Sequence, residues 1–261
     1  MGLFIYSTEN LINSTTLPED DAIYRSTEDD IYQVEYLYNQ RPSKPFRWTA
    51  KVGDWFKVDL GSRQTVSLFA IFGHNLTAAA TQQLHCSGNN GNWKLLGNMD
   101  YRTNDEYLKF GVYDRWFRYS VSDAGNSAFP QVGEAWIGNW SEFENAKVQS
   151  PRGDGPQFWS AENVTPFGQD WDAYLSENET FSLSLRNINS PSATDDIQTF
   201  LSAVYSNGNR FIMIPDSDRP QVYYCKILNK DGFANRLVTG TTELRDWRLE
   251  VKTLTRGITL L

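Results

Sequence analysis

Histidine and cysteine are the residue types best suited to bind zinc or to carry nucleophilic catalysis, and this chain has two of each. Neither His74 nor His85 has a second histidine, a cysteine or a carboxylate at the spacing of a zinc motif. Cys86 and Cys225 are far apart in the sequence, and we expect both to be free thiols, half-buried in strands. The sequence therefore predicts no metal site and no cofactor.

Catalytic motifs are also missing from the sequence. Spacing alone does not exclude a Ser-His-Asp triad, because the members of a triad can come from distant parts of the chain. However, the sequence contains no Gly-x-Ser-x-Gly elbow and no phosphate-binding Gly-rich loop. Asp216 and Asp218 could form an acid–base pair, although Pro-Asp-x-Asp is common turn chemistry. We therefore expect no catalytic residue and a protein that binds or assembles and is not an enzyme.

Aromatic rings beside amide side chains are a combination that suits sugar binding. Trp48 and Trp93 lie near predicted turns, and Asn90 lies beside Trp93, so Trp48, Asn90 and Trp93 are the candidate ligand-binding residues. The alternative is that these tryptophans belong to the core, which is the commoner place for a tryptophan in a small sandwich.

The elements that position these residues are short strands with an alternating pattern. In the segment from Trp55 to Leu60, Phe56, Val58 and Leu60 face one way while Lys57 and Asp59 face the other. We expect Gly61-Ser62 to turn the chain, and the apolar run from Val66 to Phe72 to be a strand packed on both faces. Gly73-His74-Asn75 then closes that strand, with His74 and Asn75 bonded to the backbone at a sheet corner and not acting as a site.

Further strands are predicted at 82–87, 93–97, 107–112, 115–122 and 132–138, with a strong turn signal at Gly88-Asn89-Asn90-Gly91. Before residue 140 the sequence contains no convincing helix of ten residues. This pattern predicts that residues 1–140 form an antiparallel β-sandwich or jelly roll.

The amino-acid composition changes after residue 140. Residues 141–172 are predicted to be a connecting segment, with 150–160 a linker or exposed loop because it is rich in Pro and Gly. Residues 173–261 read as strand, helix 194–206 with Thr194 as its N-cap, and three more strands. The predicted fold class is thus mainly β, with an N-terminal sandwich and a C-terminal α+β domain that has one short helix.

The first half resembles discoidin-like (coagulation factor 5/8 type C) domains over about residues 45–140. The resemblance rests on the strand Trp55–Gly61, on Val66–Phe72 followed by Gly73-His74-Asn75, and on two later segments. These are Leu84-His85-Cys86-Ser87 with Trp93, and the pair Arg115–Tyr119 and Gly133–Gly138. It implies a β-sandwich, and many members bind sugars or phospholipids through loops at one end.

The second half resembles tube-derived tail proteins of tailed phages over about residues 155–255. The similar features are Phe181–Leu185, the helix 194–206, Arg210–Asp216 and Trp247–Val251. The resemblance implies a tail-tube-like domain that forms a ring by joining sheets between subunits, and this ring continues the tail tube.

Together these patterns favour a structural virion protein, a subunit of a tail-tip or baseplate ring that docks other tail proteins. The expected partners are copies of itself, as a hexamer, and tube, hub and fibre proteins, with a host glycan as a further partner. The expected location is the virion tail, assembled in the host cytoplasm. The alternative is a carbohydrate-binding protein for adhesion or receptor binding. The net charge of −8 disfavours nucleic acid, and no apolar run is long enough to span a membrane.

Overall fold

The structure is a computed structural model. It describes residues 5–12, 22–39, 41–103, 105–142, 147–148, 152–164, 170–188, 199–206, 208, 210–214, 221–228, 236–237 and 245–254. The chain divides into two compact units, an N-terminal unit Tyr6–Ser141 and a C-terminal unit Glu142–Leu261 that also includes Met1–Ile5. Over these residues the fold is mainly β, with antiparallel sheets and one short α-helix, which confirms the predicted fold class. Within these described ranges, no helix is long and apolar enough to cross a bilayer.

The strands of the first 142 residues are mostly short, but two of them are very long. A four-residue 3-10 helix occupies Val34–Leu37. The strands are β1 (Ile5–Ser7), β2 (Ile23–Arg25), β3 (Phe46–Arg47), β4 (Asp54–Phe72), β5 (Thr81–Ser87), β6 (Lys94–Asn98), β7 (Asp105–Ser122), β8 (Gln131–Val132), β9 (Glu134–Gly138) and β10 (Ser141–Glu142).

The long strands β4 and β7 fold back on themselves. Phe56 and Phe69 are thirteen residues apart in β4, a separation of about 43 Å in a straight strand, yet their ring centroids lie 6.4 Å apart. Phe110 and Phe117 in β7 are also 6.4 Å apart, where a straight strand would separate them by about 23 Å. Because β4 and β7 pair along most of their length, they bend over together.

This bend converts one hydrogen-bonded sheet into the two layers of a sandwich. The first half of β4 lies between β2 and the second half of β7, followed by β5 and β6, which gives a five-stranded layer. The second half of β4 lies between β9 and the first half of β7, which gives a three-stranded layer. The β-sandwich that the discoidin-like resemblance implies is therefore the fold of the N-terminal unit.

The predicted turn at Gly61-Ser62 is wrong, because β4 continues through these residues. The pairing of β4 with β7 shifts register between Asp59 and Gln64, and Gly61 has a positive φ of 75°. Glycine adopts this left-handed backbone at little steric cost, so the sequence signal that suggested a turn marks a β-bulge. The bulge is the point at which β4 passes from one layer to the other.

The two layers enclose one aromatic core. Trp48 has no exposed surface, and its ring packs against Phe46, Phe56 and Tyr119 at centroid distances of 4.8, 6.2 and 6.3 Å. The run from Val66 to Phe72 is buried on both faces, as predicted. Trp48 therefore belongs to the core and presents no surface to a ligand, which corrects its place among the candidate ligand-binding residues.

Strands of the C-terminal unit form an antiparallel sheet. Its strands are β11 (Lys147–Val148), β12 (Arg152–Val164), β13 (Asp170–Ile188), β14 (Arg210–Ile214), β15 (Tyr223–Ile227), β16 (Arg236–Leu237) and β17 (Arg245–Thr253). The order β14–β15–β17–β13 runs through the sheet, β11 and β12 pair with β13, and β16 pairs with β17. The stretch 150–160 was predicted to be a linker or exposed loop, but residues 152–160 lie in β12.

One helix, α1, covers residues 199–206, and the proposed N-cap Thr194 lies outside the described residues. Phe200, Leu201 and Val204 are buried, as the apolar stripe predicts. The Phe200 ring meets Phe211 of β14 edge-on at 5.2 Å, so α1 packs on the sheet of its own unit. The proposed domain boundaries at residues 140 and 172 stay a prediction.

Both cysteines lie in strands and neither is in a disulfide bond, as predicted. Cys86 is in β5 and Cys225 is in β15, and both are fully buried where the sequence suggested half-burial. Burial raises the pKa of the Cys86 thiol to about 12, and a hydrogen bond with Asp114 adds to the shift.

Candidate functional site

The outer side of the five-stranded layer carries a row of side chains that follows from strand register. Tyr24 of β2 stands opposite Lys57 of β4, and Lys57 stands opposite Arg118 of β7. Arg118 in turn is opposite His85 of β5, which is opposite Leu95 of β6. Since residues directly opposite one another in a sheet share a face, these five side chains form one line across five strands.

Aromatic rings flank this line on the same side of the sheet. Lys57 Nζ lies 4.9 Å from the Tyr24 ring centroid and 5.5 Å from the centroids of both Trp55 and Trp116. The guanidinium carbon of Arg118 lies 4.5 Å from the Trp93 centroid. We name this surface the aromatic–basic face; its members are Tyr24, Trp55, Lys57, His85, Asn90, Trp93, Trp116 and Arg118.

The turn between β5 and β6 reaches over this face. Asn89 Oδ1 accepts hydrogen bonds from the backbone N–H groups of Gly91 and Asn92 at 3.1 and 3.2 Å, which fixes the predicted turn. Asn90 has a positive φ of 60°, a conformation that asparagine tolerates better than most residues. Lys57 Nζ donates a 3.0 Å hydrogen bond to Asn90 Oδ1, so the turn is tied to the sheet face.

The charged side chains of the aromatic–basic face are positive and have no acidic partner among the described residues. Among the described residues, no carboxylate forms an ion pair with Lys57, Arg118 or His85. Burial lowers the pKa of His85, and the charge of Arg118 lowers it further, so His85 is neutral at pH 7. Burial also lowers the pKa of Arg118. The carboxylate of Asp59, on the same side of β4, is bound by Arg115.

His74 and Asn75 have the structural role that the sequence predicts. His74 is buried, its Nδ1 accepts a hydrogen bond from the backbone of Leu76 at 3.2 Å, and its Nε2 lies 3.2 Å from Glu106 Oε1. Asn75 donates to the carbonyl of Phe129 and accepts from the N–H of Gln131, both at 2.9 Å. These contacts close a sheet corner.

The N-terminal unit has a second surface, formed by loops near the start of β4. We name it the loop cluster; its members are Val52, Thr77, Asp123, Asn126 and Phe129. Asp123 accepts hydrogen bonds from Thr77 N at 2.8 Å, Thr77 Oγ1 at 2.6 Å and Asn126 Nδ2 at 3.0 Å. Val52 and Phe129 of these loops are exposed. The loop cluster thus offers apolar tips, while the polar groups of Thr77, Asp123 and Asn126 are engaged with one another. The aromatic–basic face offers both rings and free donors.

The structure brings two of the three candidate ligand-binding residues together, since Asn90 and Trp93 both contact the basic residues of the aromatic–basic face. The sequence reasoning missed Lys57 and Arg118. Alternation alone places each of them on the outer side of its strand, and only strand register puts them next to each other. Asp216 and Asp218 lie outside the described residues.

No protein-family profile matches this chain, and no curated protein matches it. Solved structures are similar over about half of it. Chitosan-binding module 1 from a chitosanase/glucanase of Paenibacillus sp. IK-5 is 16% identical with a TM-score of 0.43, and the match covers 50% of this chain and 99% of that one.

Two further structures are carbohydrate-related. CpGH89CBM32-5 from Clostridium perfringens, in complex with GalNAc-β-1,3-galactose, is 11% identical with a TM-score of 0.40, covering 45% of this chain and 94% of its own. A GH29 fucosidase of Ruminococcus gnavus in complex with fucose is 12% identical with a TM-score of 0.44, covering 51% of this chain and 27% of its own.

Proposed function

We propose that the N-terminal unit is a glycan-binding module and that the aromatic–basic face is its binding surface. The observation that carries this proposal is the grouping of four aromatic rings with lysine, arginine and asparagine side chains on one outward side of a sheet. Sugars present apolar C–H faces and a rim of hydroxyl groups, so a matching surface needs rings and hydrogen-bond donors side by side.

The position of these groups on strands supports the proposal. Lys57 and Arg118 lie in the two longest strands of the sandwich, and the turn that carries Asn90 and Trp93 is held by its own hydrogen bonds. A surface built on rigid elements loses little conformational entropy when a ligand binds. Tyr24 is 42% exposed and Trp116 is 8% exposed, so the outer ring is accessible while the inner one forms the floor.

The proposed role is adhesion or receptor binding without turnover of the sugar. In this role the module holds the rest of the chain on a glycan surface, and the C-terminal unit serves assembly or another attachment.

The test compares two tryptophans of the full-length chain. Trp93→Ala should abolish or strongly weaken binding to whichever glycan an array identifies, because it removes the ring beneath Arg118. Trp140→Ala is the matched control, since that ring also lies under a cation, Lys109 Nζ at 5.1 Å, but outside the aromatic–basic face. Binding measured by calorimetry should be unchanged in the control.

Two outcomes would overturn the proposal. One is an array on which the folded full-length chain binds no glycan. The other is a glycan whose affinity falls with Phe129→Ala in the loop cluster and not with Trp93→Ala, which would place the site at the loops.

A second proposal concerns the C-terminal unit, for which the sequence favours a phage tail-tip ring. The predicted strands Phe181–Leu185 and Trp247–Val251, the helix α1 and the buried strand β14 are present in this unit. The structure also pairs the first two strands with each other. The comparisons give this role no support. Mass photometry of the purified chain tests it: hexameric rings, alone or with tail partners, are expected, and a monomer that joins no tail particle would refute it.

A further inference from the structure

Basic residues stand next to each other in the aromatic–basic face without an acid between them. Lys57 and Arg118 are directly opposite across β4 and β7, and Arg118 is directly opposite His85 across β7 and β5. Like charges such as those of Lys57 and Arg118 destabilise a sheet when they stand directly opposite one another. The chain has 32 acidic residues against 24 basic ones, so a neutralising carboxylate would be the expected neighbour.

The hydrogen-bonding capacity of these side chains is also largely unused. Among the described residues, the Arg118 guanidinium donates no hydrogen bond, and its buried Nε has no partner. Lys57 uses one of its three donors, on Asn90. Nδ1 of His85 is buried without a partner as well. The side chains of Lys57 and Arg118 are only partly buried, so their remaining donors are available to pair with a ligand.

A purely structural explanation accounts for only part of this arrangement. Stacking on aromatic rings offsets some of the cost of placing Lys57 and Arg118 side by side. However, a ring satisfies no N–H donor in the plane of the guanidinium, and a sheet stabilised by stacking alone would gain from an acid at either position. The unpaired donors of Lys57 and Arg118 are what distinguish a binding surface from a stacked one.

We propose that the ligand of the aromatic–basic face is a polyuronate, a glycan whose sugar rings carry carboxylate groups. This inference rests on the proposed function and narrows it to one class of sugar. A uronate residue combines an apolar ring face, which stacks on tryptophan or tyrosine, with a planar carboxylate. Guanidinium binds such a carboxylate through two parallel hydrogen bonds, and an ammonium group binds it as a point charge.

The geometry assigns roles in uronate binding to individual side chains of the face. Because Lys57 and Arg118 occupy adjacent strands, one carboxylate between them can accept hydrogen bonds from both. The Trp93 ring on one side and the Tyr24 and Trp116 rings on the other then flank the sugar. His85, neutral and next to Arg118, is placed to bond a hydroxyl group.

The first experiment compares charged and uncharged forms of the same sugar. Full-length chain is titrated by calorimetry with oligomers of galacturonate, of mannuronate–guluronate and of hyaluronate, and with the methyl ester of each. At least one oligouronate should bind, and its ester should bind roughly tenfold to a hundredfold more weakly, as expected for loss of a charge-assisted hydrogen-bond pair. Added salt should weaken binding of the acid more than that of the ester.

The second experiment uses variants. Arg118→Gln and Lys57→Met should each lower affinity for the acid by roughly tenfold or more and lower affinity for the ester by a clearly smaller factor, because the ester loses only uncharged hydrogen bonds. Lys109→Met, which removes the matching cation above Trp140, should change neither. The comparison of acid with ester uses wild-type chain alone, so it stands even where a variant does not fold.

The outcomes separate this inference from the proposed function. Equal binding of acid and ester, both lost in Trp93→Ala, would refute the polyuronate and leave a glycan module. Failure of all three oligouronates while neutral glycans bind would do the same. Equally tight binding of dextran sulfate that persists in Trp93→Ala would show a nonspecific polyanion surface and refute both.

Discussion

Arg115 and Asp59 form a bidentate ion pair at the point where β7 and β4 bend from one layer to the other. Arg115 Nε lies 2.5 Å from Asp59 Oδ1, and Nη2 lies 2.6 Å from Oδ2. Asp59 Oδ1 also accepts a 2.9 Å hydrogen bond from the backbone N–H of Gly61. One carboxylate therefore holds the bulge of β4 and attaches it to the neighbouring strand.

Asp59→Ala should destabilise the N-terminal unit by on the order of 1–2 kcal/mol, because the Gly61 N–H loses its acceptor at a partly buried position. Asp59→Asn keeps that acceptor and should cost less. Amide hydrogen exchange in β4 and β7 measures both free energies. Unchanged exchange in Asp59→Ala would show that the bend is held by packing alone.

Gly61→Ala should cost about 1–2 kcal/mol, because an alanine must adopt the left-handed backbone that Gly61 occupies. Gly111→Ala in β7 is the matched control, since a methyl group there meets no atom within 4 Å. Thermal unfolding should show a lower midpoint for the first variant and an unchanged or higher one for the second. If both variants behaved alike, the positive φ would not be what requires glycine in the bulge.

Local patterns in the sequence predicted most strands of the sandwich, because alternation reports which side of a strand is buried. They failed at Gly61, since a glycine with positive φ serves equally well in a turn and in a bulge. Composition failed at residues 152–160, where Pro and Gly occur within a strand whose pairing with β13 shifts register between Gly153 and Pro156. In both places the deciding interaction is with a distant strand.

The candidate site was predictable only in part, for the same reason. The turn signal indicated Asn90, which lies in the turn, and Trp93, which follows it closely in the sequence. Lys57 and Arg118 are far apart in the chain, and only the register of β4 with β7 makes them neighbours. Trp48 was misplaced because its proximity to a turn says nothing about the direction of its side chain.

Trp48→Ala and Trp93→Ala should separate the core from the aromatic–basic face. The first removes a fully buried ring and should destabilise the N-terminal unit by about 3–5 kcal/mol. The second removes a half-buried surface ring and should leave the unfolding transition close to that of the wild type. Differential scanning calorimetry of the two variants is the measurement, and equal losses of stability would contradict the assignment of Trp93 to the surface.

Cys86 should resist alkylation in the folded chain. Its pKa of about 12 leaves almost no thiolate at pH 8, and the side chain is buried. Iodoacetamide should therefore modify Cys86 slowly in buffer and rapidly in urea, with peptide mass spectrometry distinguishing it from Cys225. Rapid modification in buffer would mean that β5 opens readily.

The same thiol should make the N-terminal unit less stable in alkali. In the unfolded chain Cys86 has its ordinary pKa of 9.0, while in the folded chain it holds its proton up to about pH 12. Its contribution is therefore fully present below pH 9 and declines as the pH rises from 9 towards 12, because the unfolded state loses its proton first. Tyr119, whose pKa burial raises well above its usual value, acts in the same direction. Cys86→Ala should thus show a shallower loss of stability than the wild type over this range in urea unfolding, and parallel pH profiles would assign the loss to other groups, such as Tyr119 and Tyr107, whose pKa burial also raises.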